Sequence, residues 1–443
     1  MSISAYTGPS VFGYETDQPV RRAAMISLHT SPIARIGQRD AGGMNVYVRS
    51  LALQLARQGV QVDIFTRRSD PLTPEVVTVS PGVNVIHIAA GPPEDLPKND
   101  LFPYIHAFAS EAALYSLRAQ VRYDIIHAHY WLSGLAAEQL KRYWHIPSLL
   151  MFHTTAHMKN AVAASADRET ALRLETERTL VHEADALVAG NPDERADLAA
   201  MLGASNPDTI CMIPPGVDLA RFSPGDRAAE RAALNLDPDA RLVLAVGRVD
   251  PIKGFDTLLE AFRDLAHHDP SAQLLLAGGD ADDQGNPVGP MTTYARIAGD
   301  LGILEHVRFI GSIPHEDLVH WYRAVDVVAI PSRYESFGLV AIEAMASGAA
   351  VVASRVGGLR FSIADEVSGL LVPHSQPAVL AAALERVLGD DRLRDTLGQN
   401  AAMAAQRYSW KTVGADIARI YTRLANGARS GLCACDGPVS ISA

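Results

Sequence analysis

Cysteine is scarce in this chain, with three residues in 443. Cys211 stands alone, and Cys433 and Cys435 sit in a Gly-containing C-terminal stretch. That is no disulfide framework and fits a reducing cytoplasm, and a terminus without function explains the CxC pair better than a metal site does. No apolar run approaches the ~20 residues that a membrane-spanning helix needs. Residues 1–22 lack the apolar core of a secretory signal and read as a disordered leader. Positive charge is not in excess: 39 Lys and Arg against 50 Asp and Glu give a net charge of −11, which argues against a nucleic-acid surface. Also missing are GxGxxG, any cluster with zinc-ligand spacing, and a glycosidase-type carboxylate pair at the strand ends of the first half.

What is present is an ordinary globular composition, 48% hydrophobic and 20% charged, in a chain long enough for two α/β domains. Apolar runs at residues 23–29, 60–67, 83–89, 123–129, 148–152 and 184–191 read as strands separated by helical patterns, the order of a Rossmann-like unit. The loop after the first run ends at Gly42-Gly43, which brings the backbone at the next helix entry close to whatever fills a cleft. Ligands of open α/β sheets collect at the carboxyl ends of strands. His29, Lys98, His129, Tyr130, His153 and Thr154 all fall at such ends. Each alone would pass for a cap or a core contact; six together are better explained as a site. Lys98, Lys159, Arg173 and Arg178 add local positive charge to an acidic protein, which suits an anionic ligand.

A second α/β series follows a Pro-Pro-Gly turn, with runs at residues 242–247, 273–279, 307–313, 325–331 and 350–354. The expected division is a leader, 1–22; a first domain, 23–217; a second, 218–408; a last helix, 409–425; and a flexible tail, 426–443. Arg248 and Lys253 leave one strand end on a short loop, two fixed cations suited to a diphosphate. Residues 332–358, SRYESFGLVAIEAMASGAAVVASRVGG, combine a loop, a helix opening at Phe337-Gly338 and a buried strand. Unpaired N–H groups at such a helix entry favour a phosphate. Glu343, about two turns in, could accept hydrogen bonds from ribose hydroxyls, and Glu335 could reach a sugar beyond the phosphates.

The E-x7-E stretch from Glu335 to Glu343, in its SFGLV–IEAMASG–VVAS–VGG setting, resembles the donor-binding stretch of the retaining glycosyltransferases of family 4. GRVDPIKGFDTLLEAF resembles their phosphate-contacting segment. The resemblance implies the α/β GT-B fold: an N-terminal acceptor domain and a C-terminal nucleotide-sugar domain, both Rossmann-like, facing a central cleft, with the last helix crossing back to the first domain. MISLHTSP, DAGGMNVYV, IIHAHYWLSG and FHTTAHMKN extend it over nearly all of residues 23–421. Within the family these stretches are most similar to the D-inositol-3-phosphate glycosyltransferases of mycothiol biosynthesis. By that match a UDP-sugar donor, UDP-N-acetylglucosamine, would lie on Gly43, Arg248, Lys253, Glu335, Phe337, Gly338, Leu339 and Glu343. His29, Asp40, Asn45, Lys98, Tyr130, Thr154 and Arg173 would hold the inositol phosphate. Arg248, Lys253, His153 and Glu335 would form the catalytic set on a front-face route, in which the departing phosphate helps deprotonate the acceptor and no enzymic nucleophile is needed. No cofactor is required; Mg2+ could assist, but the two cations make it dispensable.

His157, where the family usually has a small residue, and the more basic loop IARIGQRD depart from the pattern. Sucrose-phosphate synthases share the skeleton and supply the alternative, transfer of glucose to fructose 6-phosphate. They more often read GGQN and EPFG where Gly42-Gly43-Met44-Asn45 and Glu335-Ser336-Phe337-Gly338 stand. Outside the transferases, the alternatives are a UDP-N-acetylglucosamine 2-epimerase and a non-catalytic sugar-nucleotide binder. The expected partners are two small molecules, with no nucleic acid and no membrane span; a homodimer is left open.

Overall fold

The computed structural model describes residues 18–34, 42–161, 168–203, 207–282 and 286–433. The first sheet takes eight strands: β1 (Arg22–Ile26), β2 (Gln61–Arg67), β3 (Val76–Ser80), β4 (Val83–Ile88), β5 (Ile125–His129), β6 (Ser148–Met151), β7 (Ala186–Ala189) and β8 (Ile210–Met212). Their order is β3-β4-β2-β1-β5-β6-β7-β8, parallel except for β3, which lies antiparallel on β4 at the edge. The later strands are β9 (Arg241–Val246), β10 (Ala272–Ala277), β11 (Asp280–Ala281), β12 (Pro287–Val288), β13 (Val307–Gly311), β14 (Val327–Ile330), β15 (Ala350–Ser354) and β16 (Leu370–Val372). Six of them make a parallel sheet in the order β13-β10-β9-β14-β15-β16, while β11 and β12 pair apart as a small antiparallel ribbon.

Strands such as IIHAH and AVVAS are buried throughout because helices cover both faces of each sheet. Along β5, Ile125 enters one core layer and Ile126 the opposite one. In both sheets the first strand in sequence lies inside the sheet, so the strand order reverses beside it and opens a crevice at the carboxyl ends.

The chain leaves the first sheet near Val217 and returns near Ser409. These crossings lie side by side, with the Val217 N–H donating to the Tyr408 carbonyl at 2.6 Å. The helix Trp410–Ala425 starts on a Ser409 cap and carries Val413, Ile417, Ile420, Tyr421 and Leu424 along one face. That stripe packs with Tyr47, Val48 and Leu51 against the first sheet.

Both termini differ from expectation. The end of the leader is anchored: the Arg21 and Arg22 N–H groups donate to Asp124 Oδ2, and Val20 is buried. The supposed loose tail is docked as far as it is described, with Leu432 buried in the core and Cys433 joined to Cys211 in a disulfide. The cysteine reading is therefore corrected, and the reducing-cytoplasm expectation loses that support. A pairing across 222 residues has no local signature in sequence. Residues 1–17 and 434–443, Cys435 included, lie outside the described residues. Among the described residues, no helix is long and apolar enough to cross a membrane.

Candidate active site

One cavity of about 330 Å³ lies between the carboxyl ends of the two sheets. On the side of the second sheet, β9 runs through Gly247 and Arg248 into a one-turn 3-10 helix, Pro251–Lys253, whose start is capped by Asp250. Lys253 Nζ lies 2.6 Å from Glu335 Oε2, and Ser332 Oγ donates to the same oxygen at 3.2 Å. The cation expected at a diphosphate and the carboxylate expected at a sugar are thus one pair. Among the described residues, Arg248 pairs only loosely, with Asp250 at 3.7 Å. Its side chain lies against Gly42, where a Cβ would come within 3.3 Å of Arg248 Cδ. A Cβ on Gly43 would come within 3.2 Å of Leu339 Cδ1, so the glycine pair lets the two halves of the protein close together.

Gly338 stands at φ +88°, and a Cβ there would lie 2.6 Å from Leu359 Cδ2, so both conformation and space require glycine. It opens the helix Leu339–Ala346, in which the N–H groups of Leu339 and Val340 have no acceptor one turn back and border the cavity. Glu343 is the fifth residue of this helix, a little over one turn in rather than two. It is 4% exposed, held by His315 Nε2 at 2.7 Å on Oε1 and by the Tyr322 hydroxyl at 3.3 Å on Oε2. Burial pulls the His315 pKa down, but the Glu343 carboxylate outweighs it and the net shift is upward. Each carboxylate oxygen keeps a second acceptor site for a hydroxyl. Such a contact serves ground and transition states alike. If Glu343 holds the ribose of a UDP donor, as the sequence resemblance implies, Glu343→Gln should raise donor KM and weaken UDP binding in calorimetry, with kcat within a few-fold. Unchanged nucleotide affinity would leave Glu343 as no more than a partner for His315.

The facing wall comes from the first sheet. The β5–β6 register sets His129 opposite Met151, so Tyr130 and His153 emerge side by side just beyond. Both adopt positive φ, +81° and +62°, which is uncommon for non-glycine residues and clusters at functional sites. The Tyr130 ring sits 4.5 Å from the His29 ring, and the Arg173 guanidinium lies 4.7 Å over it. Burial, reinforced by Lys98, Arg173 and Arg248, pushes His29 down to about 3, so it is neutral near pH 7.

Arg173 is less available than expected. It is 1% exposed, and it donates from Nε to Glu177 at 2.7 Å and from Nη2 to the Thr154 carbonyl at 2.6 Å, with Nη1 2.9 Å from Glu169. Lys159 also pairs with Glu169, at 2.6 Å. Arg173 therefore braces the wall behind Tyr130 and Thr154. Asn45 does not line the cavity: its amide donates to Thr30 and Ser31, and its carbonyl oxygen accepts from the Gly42 N–H, which pins the glycine turn from beneath. Asp40 lies outside the described residues. His129 is buried behind the wall, while Lys98, Thr154, Phe337 and Leu339 all border the cavity.

Two residues that sequence reasoning passed over hold the cleft shut. Thr154 Oγ1 lies 2.7 Å from Ser336 Oγ, and Asn191 Nδ2 donates to the Ser336 carbonyl. Arg360 adds an ion pair to Asp193 across the same gap. Glu194 was also missed. It lines the cavity, accepts from the Gly190 N–H at 2.7 Å through Oε2, and leaves Oε1 without a partner among the described residues. Burial, opposed by that hydrogen bond and helped by Asp197 and Glu177, raises its pKa from 4.5 to about 7. A carboxyl that holds its proton more tightly folded than unfolded favours folding at low pH, and that benefit is lost as pH rises from 4.5 to about 7. Glu194→Gln should lack that loss, so its Tm relative to the parent protein should rise between about pH 5 and about pH 8 in calorimetry. A constant difference over that range would contradict a buried acid.

Residues 41–221 match the family described as "Glycosyltransferase Family 4", and residues 226–403 match "Glycosyl transferases group 1". A D-inositol 3-phosphate glycosyltransferase of Corynebacterium efficiens is 42% identical over 407 residues, 90% of this chain and 95% of that protein. One from Mycolicibacterium gilvum is 43% identical over 410 residues, 91% of this chain and 89% of that protein. Among solved structures, a sucrose-phosphate synthase from Thermosynechococcus elongatus is 37% identical with a TM-score of 0.83, covering 91% of this chain and 99% of that one. Anabaena HepE, in complex with UDP and glucose, has a TM-score of 0.68 at 20% identity, covering 90% and 98%, and shares the fold. Two facing parallel sheets, a returning C-terminal helix and matches along nearly the whole chain agree: this protein belongs to the family 4 glycosyltransferases, with the GT-B fold.

Proposed function

We propose that this glycosyltransferase is a retaining hexosyltransferase that moves N-acetylglucosamine from its UDP conjugate to inositol phosphate. The observation that supports this reading most is the charge on both walls of one cavity. Lys98, Lys159 and Arg173 stand together at the acceptor wall, Lys159 paired with Glu169 and Arg173 with Glu169 and Glu177. Arg248, Lys253 and the N–H groups of Leu339 and Val340 face it. One wall suits a phosphate that stays, the other a diphosphate that leaves.

In the proposed reaction the bond from the anomeric carbon to the diphosphate oxygen breaks while a bond to an acceptor hydroxyl oxygen forms on the same face. The hydroxyl proton passes to the departing phosphate. Arg248 and Lys253 bear the growing negative charge, so the reading asks for no cofactor. Glu335, fixed by Lys253 and Ser332, would orient the donor sugar. The sites on Gly43 and Phe337, and the cytoplasmic setting, remain inferences from sequence. The curated relatives named for D-inositol 3-phosphate favour that acceptor, while the likeness to a sucrose-phosphate synthase keeps fructose 6-phosphate as the second candidate. Proton NMR of the product tests the reaction type: an α-anomeric coupling from an α-linked donor is expected, and a β-linkage would rule out retention.

A further inference from the structure

A file of buried aromatic groups runs from the returning helix into the cleft. The Tyr421 hydroxyl lies 2.8 Å from His127 Nδ1. His127 and His129 are two residues apart on β5, so they share a face, with ring centroids 4.2 Å apart. His129 Nδ1 lies 3.1 Å from His153 Nε2, and His153 borders the cavity. Tyr47 braces the file edge-on, 5.7 Å from His129 and 5.0 Å from His153, and rests against Trp410 at 5.4 Å.

We propose that Tyr421, acting through His127 and His129, sets the tautomer of His153 so that His153 presents an Nδ1–H donor to the cleft. The proposal takes from the preceding reading only that the cleft binds an oxygen-rich ligand. Burial holds His127 and His153 down at about 3 and His129 well below its ordinary value, so each ring is neutral and carries one proton. The Tyr421 hydroxyl is buried and keeps its proton, and His127 Nδ1 is the acceptor that satisfies it. His127 then carries its own proton on Nε2. Among the described residues, two Nε2 atoms, of His127 and His129, have no hydrogen-bond partner. If His129 donates from Nδ1 to His153, those two atoms are one donor and one bare acceptor on neighbouring rings. The reverse direction would leave two N–H groups there, both without an acceptor. The first arrangement is the less costly. It leaves His153 with Nε2 occupied and Nδ1 protonated, a hydrogen-bond donor to a phosphate or sugar oxygen and not a general base. Tyr421 and His129 are accordingly positioning residues.

Two-bond 1H–15N correlation spectra of the full chain with 15N-labelled histidine report the protonated nitrogen directly, with His153 assigned from the His153→Gln spectrum. The wild-type spectrum should place the His153 proton on Nδ1. Tyr421→Phe keeps the ring packing and should give a mixture of His153 tautomers, with kcat down roughly tenfold, the worth of one hydrogen bond, and both KM values within about twofold. His129→Asn retains an N–H donor and should recover most of the kcat that His129→Leu loses. A wild-type His153 protonated on Nε2, or a Tyr421→Phe spectrum with the tautomer unchanged, would overturn the proposal. If Tyr421→Phe does not fold, the wild-type spectrum alone decides. Absence of transfer in the wild type would fall on the transferase reading and leave the spectra intact.

Discussion

Lys253→Ala is expected to lower kcat by on the order of 10²-fold or more, because it removes a fixed cation from the place where the proposed reaction builds up diphosphate charge. The structure adds a second reason. Lys253 is also the partner of Glu335, so its loss frees the carboxylate proposed to orient the donor sugar. Folding should change little: the pair joins a one-turn 3-10 helix to a loop and is partly exposed, 18% and 17%, where such bridges contribute about 1 kcal/mol at most. Arg248→Ala should lower kcat chiefly through the lost charge, since its contact with Asp250 is loose. Steady-state kinetics on both variants, with unfolding curves as the control, make the check. Normal turnover in Lys253→Ala would remove the leaving-group assignment.

Arg173→Ala should be the most destabilising single change at the acceptor wall, costing about 3–5 kcal/mol, since breaking a buried ion pair strands its partners. Glu177 is 1% exposed and would lose its only cationic partner among the described residues; Glu169 would keep Lys159. The Thr154 carbonyl and the face of Tyr130 would lose their contacts as well. Arg173→Lys retains a charge but cannot span Glu169, Glu177 and the carbonyl together, so an intermediate loss is expected. Urea unfolding of the two variants measures this. A loss below about 1 kcal/mol in Arg173→Ala would mean that the network is not structural and would return Arg173 to service as a direct phosphate ligand.

The sequence made the ends of the parallel strands legible because a strand buried on both faces reads as a largely apolar run, as LVLAV and AVVA do. The residues just past those runs then had to meet at the carboxyl edge, which is where Tyr130, His153 and Arg248 stand. β3 was not legible: VVTVS is a short, half-exposed edge strand behind a polar loop, and nothing local distinguishes it. The helices Ile105–Arg118 and Arg227–Ala233 were passed over too. Which residues face the cleft was harder than which lie near it. Asn45 follows the glycine pair in the first turn of the helix and yet turns beneath it. The carboxylates that occupy Arg173 stood in plain view at four residues on either side, Glu169 and Glu177, a spacing that favours pairing on a helix. Glu194, by contrast, carries no signal beyond an acidic first turn, and only burial against Gly190 makes it distinctive.

The measurement that bears most directly on the function is a donor-by-acceptor screen of the purified protein. UDP-, GDP- and ADP-sugars would be offered with inositol phosphate, fructose 6-phosphate, glucose 6-phosphate or no acceptor, and nucleotide release and glycoside formation followed together. The proposed reading, with a phosphate on one wall of the cavity and a diphosphate on the other, predicts release coupled to glycoside formation, with UDP-N-acetylglucosamine and inositol phosphate the preferred pair and free inositol a poor substitute. Nucleotide release that ignores the acceptor, or equal use of inositol and its phosphate, would contradict the account.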